Sequence, residues 1–310
     1  MSRAPASSVL LLLSLLLVAA TSAGAAEKRG GSGILASGDV IELVDPATGD
    51  ARRLTTRGTG PAYVPSRHAF AYIREGGCAA DGSGGCFTQY SVFVKSLANR
   101  SPKDPGRRVF GWREFFVRKV DVSPGGRMVF SAKPGPGPDG DRLDIYSSDL
   151  KGDRVRRLTR SPSFENDPAV SPDGRRVAFV RRVHGRGQIF VMSIDGGGPR
   201  QLTHNGRRNR LPAWSPDGRR LVFISQGAPG GGRYARRDIR TVTTTGAERI
   251  VTGFGRRDVV LCPAFSPDGG RIAFIWNNGL WLMSATGRNK RLLRRPPGYG
   301  GYEGGIDWAH

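Results

Sequence analysis

One short turn keeps returning in this chain, and it limits the possible folds more than any other feature. Ser171-Pro172-Asp173-Gly174, Ser215-Pro216-Asp217-Gly218 and Ser266-Pro267-Asp268-Gly269 are identical, and Ser123-Pro124-Gly125-Gly126 is a near copy. Val64-Pro65-Ser66-Arg67-His68 is an eroded copy, and Asp307-Trp308-Ala309 matches the approach to the motif. Ser123, Ser171, Ser215 and Ser266 stand 48, 44 and 51 residues apart. Sequence periods of about 40–45 residues belong to four-stranded propeller blades.

Each unit repeats the same internal order. A short apolar piece such as Pro168-Ala169-Val170 or Pro212-Ala213-Trp214 enters the turn. Pro presets φ and Gly accepts positive φ, so the chain reverses tightly. A β-rich run follows (Arg176 to Val180, Arg220 to Ile224), then a third run such as Ile189-Phe190-Val191-Met192 or Leu280-Trp281-Leu282-Met283. The fourth run is Arg-rich: Arg52-Arg53-Leu54-Thr55, Arg156-Arg157-Leu158-Thr159, Arg200-Gln201-Leu202-Thr203. No helical period competes with this pattern. The spacing therefore predicts an all-β, six-bladed β-propeller over residues 33–310, with innermost strands near Tyr63, Val122, Val170, Trp214, Phe265 and Trp308. The last unit lacks a second strand, and Gly33-Ile34-Leu35-Ala36 resembles it, so N- and C-terminal strands are expected to close one blade together.

The Ser-Pro-Asp-Gly units resemble the WD40-like (PD40) repeats of TolB-like six-bladed propellers, over essentially all of Gly33 to His310. The resemblance implies the propeller fold and, in related propellers, a channel mouth that takes ligands or protein segments. It extends to the propeller alone, because TolB proper carries a further N-terminal α/β domain.

Antiparallel blades sort the connections. The short Ser-Pro-Asp-Gly turns and the Gly turns after the third runs lie at one end, and the long connections collect at the other. Loops on a rigid scaffold are where binding usually sits. The long-loop face is expected to carry the ligand- or partner-binding residues Trp112, Arg113, Phe164, Glu165, Asp167, Arg207, Arg208, Arg210, Phe254, Arg256, Tyr299, Tyr302, Glu303 and Asp307. Aromatic rings beside arginines on one rim suit an anionic or glycan-like ligand or a protein partner. The same aromatics would also serve simply to pack the loops down.

Composition narrows the partner. Lys and Arg total 48 against 26 Asp and Glu, a formal charge of +22. Such an excess attracts anionic envelope polymers or a membrane surface at long range, with salt screening. Residues 1–26 read as a signal peptide: Arg3, an apolar stretch from Val9 to Ala20, then small residues to Ala26. Export places the protein outside the cytoplasm, secreted or periplasmic, and no nucleic-acid motif is present. Cys78 and Cys86 flank a Gly-rich segment, and in an oxidising compartment the pair is expected to form a disulfide. Cys262 is the odd one and reads as a small buried hydrophobe.

Catalytic patterns are sparse. His68, His184, His204 and His310 are scattered, and neither a paired-His metal spacing nor a Gly-x-Ser-x-Gly elbow occurs. Asp139, Asp141 and Asp144 fall short of a calcium loop's ligand count. No catalytic residue, metal or cofactor is assigned from the sequence. The expected function is an exported, non-enzymatic binding scaffold. The alternative is a small hydrolase or lyase using carboxylates such as Glu165, Asp167 and Glu303 at the channel mouth.

Overall fold

The computed structural model describes residues 33–37, 39–80, 86–111, 115–135, 142–227, 236–295 and 305–309, with backbone alone at 75, 77–80 and 86–89. The proposed signal peptide lies outside them. The chain supplies β1 (Gly33–Ser37), β2 (Ile41–Val44) and β3 (Ala51–Arg53) first. Blade 2 follows as β4 (Thr59–Val64), β5 (Ala69–Ala80), β6 (Cys86–Ser96) and β7 (Arg107–Phe110). Blade 3 is β8 (Phe115–Val122), β9 (Arg127–Pro134), β10 (Asp144–Asp149) and β11 (Arg156–Arg157). Blade 4 is β12 (Glu165–Val170), β13 (Arg176–Val183), β14 (Arg186–Ser193) and β15 (Arg200–Gln201). Blade 5 is β16 (Arg208–Trp214), β17 (Arg220–Gln226), β18 (Arg237–Thr243) and β19 (Glu248–Gly253). Blade 6 is β20 (Val260–Phe265), β21 (Arg271–Trp276), β22 (Gly279–Ser284) and β23 (Arg291–Arg294). The last strand, β24 (Gly305–Ala309), pairs with β1, so blade 1 reads β24-β1-β2-β3.

The expected six blades and the shared closing blade are both present. Ile34 lies opposite Trp308, and Ala36 opposite Ile306, in an antiparallel register. Joining the two chain ends in one sheet removes the open edge that a linear array would leave.

The repeated residues have repeated physical jobs. In the Ser-Pro-Asp-Gly turn, the Ser171 hydroxyl accepts from the Arg176 N–H at 2.9 Å and donates to Asp173. Asp173 in turn accepts from the Arg175 N–H at 3.0 Å, and Gly174 adopts φ +67°. Ser215 with Asp217 and Ser266 with Asp268 repeat the arrangement. These aspartates are turn formers, and hydrogen bonds led by the serine hydroxyl hold their carboxyls below the usual range. The Leu-Thr of the fourth run is explained similarly. The Thr55, Thr159 and Thr203 hydroxyls accept from the Ile41, Ile145 and Ile189 N–H groups of the neighbouring strand, each at 2.9 Å. The second strand carries one aromatic at the same register position in blades 2 to 6, Tyr72, Phe130, Phe179, Phe223 and Phe274, all fully buried. Burying one such side chain contributes about 1.5–3 kcal/mol, so this single repeat position carries much of the inter-blade core.

The outer rim holds a second repeat that the sequence left as mere charge. The first arginine of a fourth strand donates to a backbone carbonyl in the next blade's turn. Arg52 reaches Leu97 at 3.2 Å, Arg107 reaches Leu150, Arg200 reaches Thr244, and Arg291 reaches Pro46 at 2.8 Å. Gly287 lets the complementary approach happen: at φ +85°, any Cβ there would sit 2.2 Å from the Val251 carbonyl oxygen.

Blade 2 departs from expectation. The Gly76 to Gly85 stretch, read as a loop, is strand as far as Ala80: β5 runs to Ala80 and β6 starts at Cys86, with Cys78 opposite Thr88 and Ala80 opposite Cys86. Backbone pairing thus continues well past the blade despite the glycines. The side chains of Cys78 and Cys86 lie outside the described residues, so their proposed disulfide stays a proposal. Cys262 is buried and free, and burial pushes its thiol up to about 11.

Candidate functional site

Every blade contributes its innermost strand to the central axis: β24, β4, β8, β12, β16 and β20. Five of these strands, all but β24, carry a register slip near their start, between Thr59 and Ala62, Val117 and Lys119, Asn166 and Ala169, Arg210 and Ala213, and Leu261 and Ala264. Gly60, Asp167, Leu211 and Cys262 take left-handed φ at this bulge. A bulge bends a strand and re-aims the next side chains. Beyond it, residues 62, 121, 169, 213, 264 and 307 occupy equivalent places, each directly before Tyr63, Val122, Val170, Trp214, Phe265 or Trp308.

A cavity of about 360 Å³ occupies the axis, lined mainly by Pro, Ala and aromatic residues of the inner strands. Pro65, Pro124, Pro172, Pro216 and Pro267 of the short turns also line it, so it sits toward the turn face. Its charged groups are few: Asp121, Asp307 and Lys119. Four of the six equivalent positions hold Ala, and blades 3 and 1 hold the two aspartates instead.

Both carboxylates staple neighbouring blades. Asp121 accepts from its neighbour Val122 N–H at 2.8 Å and from Val170 N–H of blade 4 at 2.6 Å. Asp307 accepts from Trp308 N–H at 2.8 Å and from Tyr63 N–H of blade 2 at 2.6 Å. Burial, then the nearby negative charge of Asp307, pushes the Asp121 carboxyl up to about 7, while Lys119 and two backbone N–H groups pull the other way. The channel therefore holds two carboxyl groups that resist being ionised together, a known source of proton-transfer capability.

Residues 141–256 match the family described as the Tricorn protease N-terminal beta propeller domain. Protein TolB homolog of Chlorobium luteolum is 30% identical over 133 residues, which is 43% of this chain and 28% of that protein. TolB from Acinetobacter baumannii superposes with a TM-score of 0.65 at 20% identity, covering 90% of this chain and 66% of that one. Putative TolB from Agrobacterium tumefaciens gives 0.64 at 21% identity, covering 90% and 99%. The chain is a six-bladed β-propeller similar to TolB. It spans well under two thirds of the curated relative it matches, and the structural likenesses establish the fold.

The propeller distributes the expected site residues unevenly. Trp112, Arg113, Tyr299, Tyr302 and Glu303 lie outside the described residues. Asp307 lines the channel. Glu165 is fully buried and pairs with Arg181 at 2.6 Å, and burial pushes its carboxyl up. Asp167 is buried at the bulge and accepts from the Leu211 N–H at 3.0 Å, another staple between blades 4 and 5. Arg207 is tied to Asp238 at 2.8 Å. Phe254 is buried between blades 5 and 6 against Phe274 and Trp276. Phe164 is half-buried beneath the Arg182 guanidinium, 5.1 Å away. Arg208 and Arg256 are exposed, and Arg210 is half-buried at the start of β16.

Neither Glu165 nor Asp167 lines the cavity, so they do not converge there with Asp307. Sequence reading missed Asp121, Lys119 and Arg237. Aligning the repeats on their final aromatic or apolar residue would have found Asp121, because it falls on the position of Asp307. Arg237 carries no local signal; only the packing of blade 5 against blade 6 gives it a role. Among the described residues, no group of three His, Cys, Asp or Glu side chains is placed to hold a metal ion.

Proposed function

We propose that this propeller is an exported, non-enzymatic scaffold that binds a protein partner through its long-loop face, with its positive charge extending the attraction to anionic envelope polymers. One observation carries the reading. Arg181 and Arg207 are tied to carboxylates, and Asp167 and Asp307 staple neighbouring blades, whereas Arg208, Arg256, Arg257 and the Phe164–Arg182 stack remain accessible around one end of the axis. A rigid ring that presents arginines and a cation–π pair on one rim has the chemistry of a binding surface. TolB likeness supports a protein partner and a location outside the cytoplasm.

The experiment is affinity capture from envelope extract with the mature chain, at low and at high salt. Specific retention that survives high salt supports a contact surface beyond simple charge attraction. Retention of nothing at either salt sinks the reading.

A second reading has its own observation. The Asp121 carboxyl, raised toward neutral beside Asp307 in a cavity, is placed for acid–base work on a small substrate. Turnover of envelope glycans or peptides that disappears in Asp121→Asn would favour a hydrolase or lyase over a scaffold.

A further inference from the structure

Five half-buried arginines of this ring each have a carboxylate. Arg181 pairs with Glu165, Arg207 with Asp238, Arg157 with Asp144, Arg240 with Glu248 and Arg294 with Glu42. Arg210 and Arg237 break that rule. The register of blade 5 sets Arg210 opposite Ile224 and Ile224 opposite Ile239, while Gln226 lies opposite Arg237. Side chains two residues apart on a strand share a face. Arg210 and Arg237 therefore project from the same face of blade 5 as Ile224 and Ile239. That face packs on blade 6, because Ile224 and Ile239 join Phe254, Val260, Phe265 and Phe274 in one core cluster.

At the long-loop end of this seam the register sets both arginines on the one face, two strands apart, and the charge of Arg210 is felt at Arg237. Arg237 donates from Nη1 to the Asp258 carbonyl at 2.6 Å. The Nε atoms of both Arg210 and Arg237 are buried and meet no acceptor among the described residues. No described carboxylate pairs with either. Burial, followed by the positive charge of Arg210, lowers the pKa of Arg237. An unsatisfied buried donor costs about 1–3 kcal/mol, and like charges side by side add to that cost. One oxyanion between them would satisfy both donors and cancel the repulsion, since guanidinium forks match carboxylate and phosphate oxygens.

We propose that Arg210 and Arg237 form a receptor for a single oxyanion group, a carboxylate or phosphate presented by the partner at the long-loop mouth of the blade 5–6 seam. This deepens the scaffold reading by naming the group the partner offers. Small-ion binding tests it apart from partner capture, so either can fail alone.

The mature chain is titrated with inorganic phosphate, and separately with N-acetyl-L-glutamate amide, at constant ionic strength in chloride. Binding is followed by the ¹⁵N-resolved Arg Nε–H resonances and by Tm. A saturable shift of the Arg210 and Arg237 signals with either probe is expected, together with a rise in Tm, and the responding probe identifies the phosphate or carboxylate source. Arg210→Gln is expected to weaken that binding at least tenfold, and Arg219→Gln, an exposed arginine in the turn at the opposite end of blade 5, to leave it unchanged. The absence of saturable shifts with both probes overturns the proposal, and so does undiminished binding by Arg210→Gln. If Arg210→Gln does not fold, Arg210→Lys replaces it: the charge is kept and the fork lost, and the same tenfold criterion applies.

Discussion

Arg107 on the outer rim and Arg210 at the long-loop end of the blade 5–6 seam are the same residue on the same scaffold, yet they meet opposite surroundings. Arg107 donates to the Leu150 carbonyl of the next blade, and Arg52, Arg200 and Arg291 do the same at other seams. Arg210 shares a sheet face with a second arginine and leaves a buried donor unmet. Between these extremes stand Arg181 and Arg207, neutralised by Glu165 and Asp238. The difference shows that the formal charge of +22 is not one property. Part of it holds the ring, part is cancelled, and part is left over for a ligand.

The comparison breaks most readily at a neutralised arginine. Glu165→Ala leaves Arg181 beside Phe179 and Phe190 without its carboxylate, and chemical denaturation should show a loss of about 3 kcal/mol, the scale for breaking a largely buried ion pair. Glu165→Gln keeps an acceptor for Arg181 Nε and should lose clearly less. Equal losses for the two variants would mean that packing, not charge, ties Arg181 down.

The channel carboxylates come next. Asp121 has a folded pKa of about 7, above an unfolded value of about 4. The folded state holds the proton more tightly, so this group's contribution to stability is fully present below about pH 4 and is lost as pH rises toward 7. Denaturation midpoints of the wild type should fall across that window relative to Asp121→Asn, which cannot titrate. Parallel midpoints for the two proteins would remove Asp121 as a titrating group.

Rim clasps should give the smallest effects. Arg107→Ala and Arg200→Ala each remove an exposed charge-assisted bond to a carbonyl, and each should cost about 0.5–1.5 kcal/mol by thermal denaturation. Arg210→Gln should not follow them downward, because it relieves repulsion from Arg237. If all three variants lose the same stability, the distinction between clasp and receptor collapses.

Much of this is legible in the amino-acid sequence. The Pro and Gly of the turn, the buried Phe after it and the Leu-Thr of the fourth strand are local instructions, each written in several copies. The count of blades and the closure through Ile34 and Trp308 followed from comparing those copies. The candidate site was read less well, since position in a loop says nothing about what a side chain meets. Phe254 packs into a seam, Asp167 staples two blades and Arg207 finds Asp238. Asp121 was passed over because it stands in an irregular copy of the repeat.

By itself the sequence determined the strands, their number and the way the ring closes, because these depend on φ preferences and alternation within a few residues. Tertiary structure decided which charges are free. An arginine's role depends on the nearest carbonyl or carboxylate in space, and here that partner is supplied by a neighbouring strand or blade that the local pattern does not name.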